Sequence, residues 1–379
     1  MEITVKLKQH TPIFHFQHDQ KGAALRATEL KPKLDEYLGK NKEERIPYQL
    51  KIKPLERYER KEPHKLYFGN QGDNVKKQTL FHAQGVELTI NTYFDEKLLK
   101  KIKEKLPICF ALENFGTRQN KGFGSFYPDD SYNNEKNKEW FKDIETVLKQ
   151  CSKPVYYFDV KEGNPLDYIN ALYKAMKSGI NETFGKKESK AYLKSLLWQY
   201  LNKGRTKGNY ITWEKRFMKQ ALSGRIIKDS QYFKALLGIC EEYPFRKANN
   251  ARMDNDYGDI RTFNLRYDAK FKISSSEIDR FKSPITFKPI GKRVYIILED
   301  TYESEGINLK GSSFHFECGD KEGDLKVPDK FSLKNFMDFV MAKVNAGFKD
   351  FEGKSASILN RITIQELQIR PDINVRAKS

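Results

Sequence analysis

Long apolar runs are missing from this chain. The longest, such as Val294–Leu298, extend for about five residues, against the roughly 20 that a membrane-spanning helix needs. No membrane segment or membrane partner is therefore expected. Cysteine is scarce too: four in 379 residues (Cys109, Cys151, Cys240, Cys318), widely spaced and with no Cys-x-x-Cys pair. That argues against a zinc ribbon or a disulfide scaffold and makes a reducing cytoplasm the expected location. The opening residues 1–8 alternate instead of running apolar, which does not fit a secretory leader. Acidic residues are in deficit, 51 against 69 lysines and arginines, for a net charge of +18. What remains is ample for folding: 38% hydrophobic and 13% aromatic content excludes full disorder. The length points to two domains rather than one. A charge of this sign favours a polyanionic partner, nucleic acid being the commonest. The plainer alternative is that the lysines only keep a soluble protein soluble.

Periodicity organises the chain. Ile3, Val5 and Leu7 alternate with Glu2, Thr4, Lys6 and Lys8, the pattern of a half-buried strand. Thr11-Pro12 breaks it, a polar loop His15–Gly22 follows, and Leu34, Tyr37 and Leu38 share a helical face that Gly39 would end. Pro32 is expected in that helix's first turn. Strands are expected at Tyr48–Lys53, Val86–Thr92 and Val155–Val160, a helix at Asp95–Lys105, and either a buried strand or a helix end at Pro107–Leu112. From Asn164 to Phe245 the pattern reads as helical, with Ser189–Leu201 and Trp213–Leu222 as helices. Within 186–228 twelve basic residues face two acids, Glu188 and Glu214. Extended segments return at Thr262–Ile273, Ile285–Pro289 and Arg293–Glu299. Phe331–Phe348 carries Phe336, Met337, Val340, Met341, Val344 and Phe348 on one helical face behind a Ser332 cap, and Arg361–Ile369 alternates as a late strand. The organisation is α+β: residues 1–163, a basic helical insert at 164–250, and 251–379.

Four segments bear on chemistry. Gly116-Thr117-Arg118-Gln119-Asn120-Lys121-Gly122-Phe123-Gly124 combines glycines, which let a backbone approach a phosphate, with two cations. No Gly-Lys-Ser/Thr closes it and its spacing is not the dinucleotide fingerprint. A plain hairpin turn is the alternative. His10, His15 and His18 lie close together, open to metal binding, to acid–base work on an RNA 2′-hydroxyl, or to base contact. The lack of a fourth ligand disfavours metal. Arg26, Lys31 and Lys33 surround a helix start, an anion site unless Glu29 already satisfies that turn. In the basic insert, Tyr192, Trp198, Tyr200, Tyr210, Trp213 and Phe217 interleave with lysines. Stacking on bases is one reading, but core is the expectation for Trp198 and Trp213.

Three of these stretches together resemble the RAMP superfamily, the ferredoxin-like RNA-binding subunits of CRISPR effector complexes. They are Thr11-Pro12 followed by Leu25-Arg26-Ala27-Thr28-Glu29-Leu30-Lys31; the loop Phe115–Phe126; and Asp279-Arg280-Phe281-Lys282-Ser283-Pro284-Ile285-Thr286-Phe287-Lys288-Pro289-Ile290. The last is similar to a second-domain segment of the two-domain subunit at the head of the type III-B complex. Pro32 replaces a usual glycine, and Asn120-Lys121 a usual arginine pair. The resemblance implies two ferredoxin-like (RRM-like) domains, RNA and other effector subunits as partners, and a role in antiviral defence. It implies RNA contacts from His15, His18, Arg26, Lys31, Lys33, Gly116, Arg118, Lys121, Gly122, Gly124, Arg280 and Lys282. No cofactor and no catalytic residue are expected. The rival is a metal-independent endoribonuclease that processes CRISPR RNA with His15 or His18.

Overall fold

A computed structural model describes residues 1–13, 24–39, 45–55, 58–61, 80–128, 141–184, 189–206, 208–223, 230–245, 248–252, 262–265, 268–278, 281–300, 302–304, 307–349 and 351–368. It is a mixed α+β chain with several antiparallel sheets. Two compact units interleave along the sequence: 1–169 with 286–298 and 364–379, and 170–285 with 299–363. Among the described residues no helix is long and apolar enough to cross a membrane.

The first unit opens on the alternating strand Glu2–Gln9, in which Val5 and Leu7 are buried to 1% and 0% exposure. It pairs antiparallel with Gly85–Asn91, setting Val5 opposite Leu88 and Leu7 opposite Val86. The sheet order is Gln49–Pro54, Gly85–Asn91, Glu2–Gln9, Phe126–Tyr127. One apolar row on the pleat therefore faces the helices Ala27–Tyr37 and Glu96–Leu112. Leu30, Leu34, Ile102, Leu106 and Phe110 from those helices join the same core. Each such fully buried side chain contributes roughly 1.5–3 kcal/mol. Gly39 ends the first helix at φ 76. Pro32 stands sixth in it, one turn later than expected. The segment Pro107–Leu112 resolves as a helix end, because the apolar face of Glu96–Leu112 continues through Cys109 and Phe110.

A second four-stranded sheet in this unit has the order Ile285–Ile290, Arg293–Leu298, Val155–Asp159, Gln365–Glu366. Along the chain its strands alternate with helices Pro165–Lys177 and Leu333–Ala346. In both sheets the second and third member strands in chain order lie outside the first, and the fourth is at the far edge. The late strand is only Gln365–Glu366, and the helix Lys354–Leu359 precedes it. Ile362, Ile364 and Leu367 nonetheless remain buried.

The second unit is built on a six-stranded sheet, Thr212–Trp213, Ser230–Gln231, Lys321–Lys326, Ser313–Cys318, Ala269–Ser274, Glu242–Phe245. Phe271, Phe314 and Phe316 are buried on it. The helix expected at Ser189–Leu201 is shorter. Ser189–Leu193 pairs as a strand with Ile180–Phe184, and the helix begins at Leu196 because the Ser195 hydroxyl accepts from Trp198 N. The insert's aromatics are chiefly core: Trp198 and Trp213 are buried, Phe217 meets Phe316 edge-on at 5.1 Å, and Tyr200 packs among Phe331, Phe336 and Phe339. Tyr192 is the exception, at 55% exposure. The helix Leu333–Ala346 starts at its Ser332 cap, as its pattern predicts.

Candidate nucleic-acid interface

The glycine loop follows directly on helix Glu96–Leu112 and is fastened on both sides. Phe115 N donates to Gly124 O at 3.0 Å and Gly124 N to Pro12 O at 2.9 Å, closing its neck. The Thr11 hydroxyl donates to Gly122 O at 2.6 Å and accepts from Ser125 N at 3.0 Å. Thr11-Pro12, a hundred residues away in sequence, is thus the clasp of the loop. On the other side Asn120 O accepts from Phe287 N at 3.1 Å, Lys121 forms a parallel bridge to Phe287, and the Ser125 hydroxyl donates to Pro289 O at 2.7 Å. Asn114, 1% exposed, uses its amide to tie Gln119 O at 2.7 Å and Phe287 O at 2.8 Å. Three stretches singled out in the sequence therefore meet at one place.

Within the loop, Lys121 N donates to Arg118 O at 2.8 Å and Gly122 N to Gln119 O at 3.1 Å. Arg118 lies at φ 59 and Gly122 at φ 83, so the backbone reverses sharply between them. Lys121 is exposed and Arg118 half-buried. That partial burial lowers the Arg118 pKa from its ordinary value, though a guanidinium keeps its charge near neutral pH.

Other basic groups brace the loop from below. Lys33, from the first helix, donates to Glu113 Oε2 at 2.5 Å, Asn114 O at 3.0 Å and Gln119 Oε1 at 2.5 Å. Lys288 is 0% exposed. Its ammonium donates to Glu113 O at 2.8 Å and Phe126 O at 3.1 Å. Burial pulls Lys288 down to about 7, partly opposed by the Glu113 carboxylate. The unfolded chain keeps the ordinary lysine value, so it holds more protons than the folded one between about pH 7 and 10. This group's contribution to stability therefore rises with pH across that window and is flat below it. Melting temperatures of the protein and of Lys288→Met, compared from pH 6.5 to 9.5, are expected to differ by an amount that shifts with pH in the wild type's favour. A constant difference would contradict the placement.

The remaining expected contacts are distributed as follows. Arg26 pairs with Glu29 at 2.7 Å. Lys31 donates to Ile46 O and Tyr48 O at 3.2 and 3.3 Å and lies 3.2 Å from the centre of the Tyr48 ring. Lys282, in the second unit, pairs with Glu299 at 3.1 Å. His15, His18 and Arg280 lie outside the described residues. His10, considered with them, accepts from Gly291 N on Nδ1 at 3.0 Å and has Nε2 3.2 Å from Tyr127 O, an arrangement suited to the neutral Nε2–H tautomer. Sequence reading missed Asn114, Lys288 and the clasp role of Thr11. A lysine inside the apolar strand Ile285–Ile290 was the one available signal.

These features define an α+β protein with a clasped, cation-bearing glycine loop at the meeting of two sheets. Residues 1–51 and 39–180 match the family described as Cmr1 N-terminal domain, and 192–364 match Cmr1 C-terminal domain. The chain belongs to the Cmr1 family, the Cmr1-like subunits of the type III-B CRISPR effector. Among solved structures it is similar to apo Cmr1 from Pyrococcus furiosus, at 12% identity and TM-score 0.38, covering 97% of this chain and 98% of that one. It is also similar to a chain of a type III-B Cmr-beta complex bound to cognate target RNA and AMPPnP, at 12% identity and TM-score 0.37, covering 89% and 97%. No curated protein matches it by sequence.

Proposed function

We propose that the chain is an RNA-binding subunit of a type III-B CRISPR ribonucleoprotein in the cytoplasm, holding guide or target RNA mainly by its phosphates. The observation that carries this is the clasped loop: exposed Lys121 and half-buried Arg118 on a backbone fixed by Thr11, Asn114 and Phe287. A rigid turn of this kind presents its two cations to phosphate oxygens at little ordering cost. Gly116 permits the approach, buried Gly122 and Gly124 let the backbone turn at φ 83 and 66, Arg26 and Lys31 add positive potential, and Lys33 holds the loop in place. His15, His18, Arg280 and Lys282 are further RNA contacts in this reading. The strand order of the two sheets supports reading them as two ferredoxin-like domains, the second discontinuous in sequence. The basic segment 164–250 then lies inside the second. No catalytic residue is assigned.

The test is a filter-binding titration of guide RNA with Arg118→Ala/Lys121→Ala. Affinity is expected to fall by about tenfold or more, and the slope of log K against log salt by about 2, with the melting temperature unchanged. Unchanged affinity and slope would sink the assignment.

A further inference from the structure

A second glycine loop lies in the basic insert, within the second unit. It reads Asn202-Lys203-Gly204-Arg205-Thr206-Lys207-Gly208-Asn209 and follows helix Leu196–Leu201. Like the loop at 116–124, it is tied by a buried asparagine. Asn202 is 4% exposed; its Oδ1 accepts from Ile211 N at 2.7 Å and its Nδ2 donates to Trp198 O at 3.1 Å. The Asn202 carbonyl accepts from Arg205 N at 3.1 Å, and Asn209 N donates to Thr206 O at 3.0 Å. Gly204 and Gly208 lie at φ +79 and +97, and a Cβ at either would meet nothing within 4 Å. Both turns therefore open to solvent. Lys203, Arg205 and Thr206 stand exposed on them.

Charge along this stretch is of one sign. From 189 to 223 eight bases meet one acid, Glu214. That carboxylate is 0% exposed and engaged by Phe233 N, Tyr243 and Lys234. Asp338, whose charge reaches Tyr200 on the preceding helix, is paired with Lys334 at 3.1 Å. A run of contacts leads from the loop to an exposed ring. Tyr210, just after the loop, meets Trp198 edge-on at 4.9 Å, and Lys194 Nζ stands 3.9 Å from the centre of the Trp198 ring. Two residues before Lys194 is Tyr192, 55% exposed.

We propose that the loop at 203–209 and Tyr192 form a second RNA contact that takes an unpaired stretch, Lys203 and Arg205 meeting phosphates and Tyr192 stacking on a base. An acidic protein segment would answer the charge alone. An exposed ring close to cations, with open glycines that admit a backbone closely, fits a polymer that alternates anions with flat faces. A base is open to a ring only where it is unpaired and unstacked. Two cations and one ring are too few to retain RNA unaided, so this contact adds to that of the loop at 116–124. The inference deepens the RNA-binding reading and rests on it.

The experiment titrates the full-length chain with single-stranded guide RNA, and with an RNA duplex of equal length, by filter binding at several salt concentrations. Lys203→Gln/Arg205→Gln is expected to bind the single strand about tenfold more weakly, with the slope of log K against log salt reduced by about 1–2. Tyr192→Ser is expected to lose about tenfold for the single strand with its salt slope and its duplex affinity unchanged, and Tyr192→Phe to bind like the wild type. All these side chains are exposed, so melting temperatures stay at the wild-type value. Wild-type affinity in Lys203→Gln/Arg205→Gln or in Tyr192→Ser overturns the proposal. So does a Tyr192→Ser loss shared equally by single strand and duplex, or a lowered melting temperature that accounts for the losses. If Arg118→Ala/Lys121→Ala is weakened in the same titration, these outcomes overturn the second contact alone. A wild-type chain that binds no RNA overturns the RNA-binding reading with it.

Discussion

Gly124→Ala is expected to lower the melting temperature by about 10 °C and to abolish RNA binding. A Cβ at this position would stand 1.9 Å from Phe115 O, 2.8 Å from its carbonyl carbon and 3.1 Å from its nitrogen, all backbone atoms, on a residue at φ +66. The left-handed conformation alone costs an alanine roughly 1–2 kcal/mol. Relieving the clash breaks the bonds from Phe115 N to Gly124 O and from Gly124 N to Pro12 O, each contributing about 0.5–1.5 kcal/mol. A combined loss on the order of 3–5 kcal/mol is a large part of a typical folding free energy. Gly204→Ala is the control: Gly204 lies at φ +79 with nothing within 4 Å of its Cβ position, so only the conformational cost applies. Differential scanning calorimetry of both variants checks the account, and equal losses would contradict it.

Glu214→Ala is expected to cost on the order of 3 kcal/mol or more in the second unit. Glu214 is 0% exposed; its carboxylate accepts from Phe233 N at 3.0 Å and from the Tyr243 hydroxyl at 3.3 Å. Lys234 Nζ lies 3.9 Å away and 4.4 Å from the centre of the Tyr243 ring. Desolvation pushes the Glu214 carboxyl up, against the pull of Lys234, and pushes Lys234 down. Removing the carboxylate strands a buried ammonium and a buried amide donor. Replacing both ends together, as Glu214→Met/Lys234→Met, is expected to recover much of the loss in urea titration. A double variant as unstable as the single one would show that the pair is not the cause.

Glu214 also shows where sequence reading stops. In the chain it is one of two acids offsetting twelve bases in 186–228, and it counts there as surface charge. In the fold it is a core acceptor, because helix Glu214–Leu222 starts against the 3-10 turn Phe233–Leu237. Elements with a strong local period were legible: the Glu2–Gln9 strand and the Leu333–Ala346 helix follow directly from alternation and from a 3–4 spacing. Ser189–Leu201 was not, since its first residues are a strand only because Ile180–Phe184 pairs with them. The boundaries at 163 and 250 follow the chain, whereas the compact units interleave along it.

The candidate site divides in the same way. The glycine loop announced itself by composition, and Thr11-Pro12 by motif. That the Thr11 hydroxyl and Gly122 O meet at 2.6 Å across 111 residues is tertiary information no local pattern carries. Lys33 was expected to offer its charge to RNA, and the fold shows it bonded to Glu113, Asn114 and Gln119. Its part in the proposed interface is to fix the loop that bears Arg118 and Lys121.

The central claim is that this loop touches RNA. The most direct measurement is photocrosslinking of 4-thiouridine-labelled guide or target RNA to the full-length chain in its complex, followed by mass spectrometry of the crosslinked peptides. The account predicts a crosslinked peptide containing residues 116–124, lost when Arg118 and Lys121 are both alanine. Efficient crosslinking elsewhere with none on that peptide would contradict it.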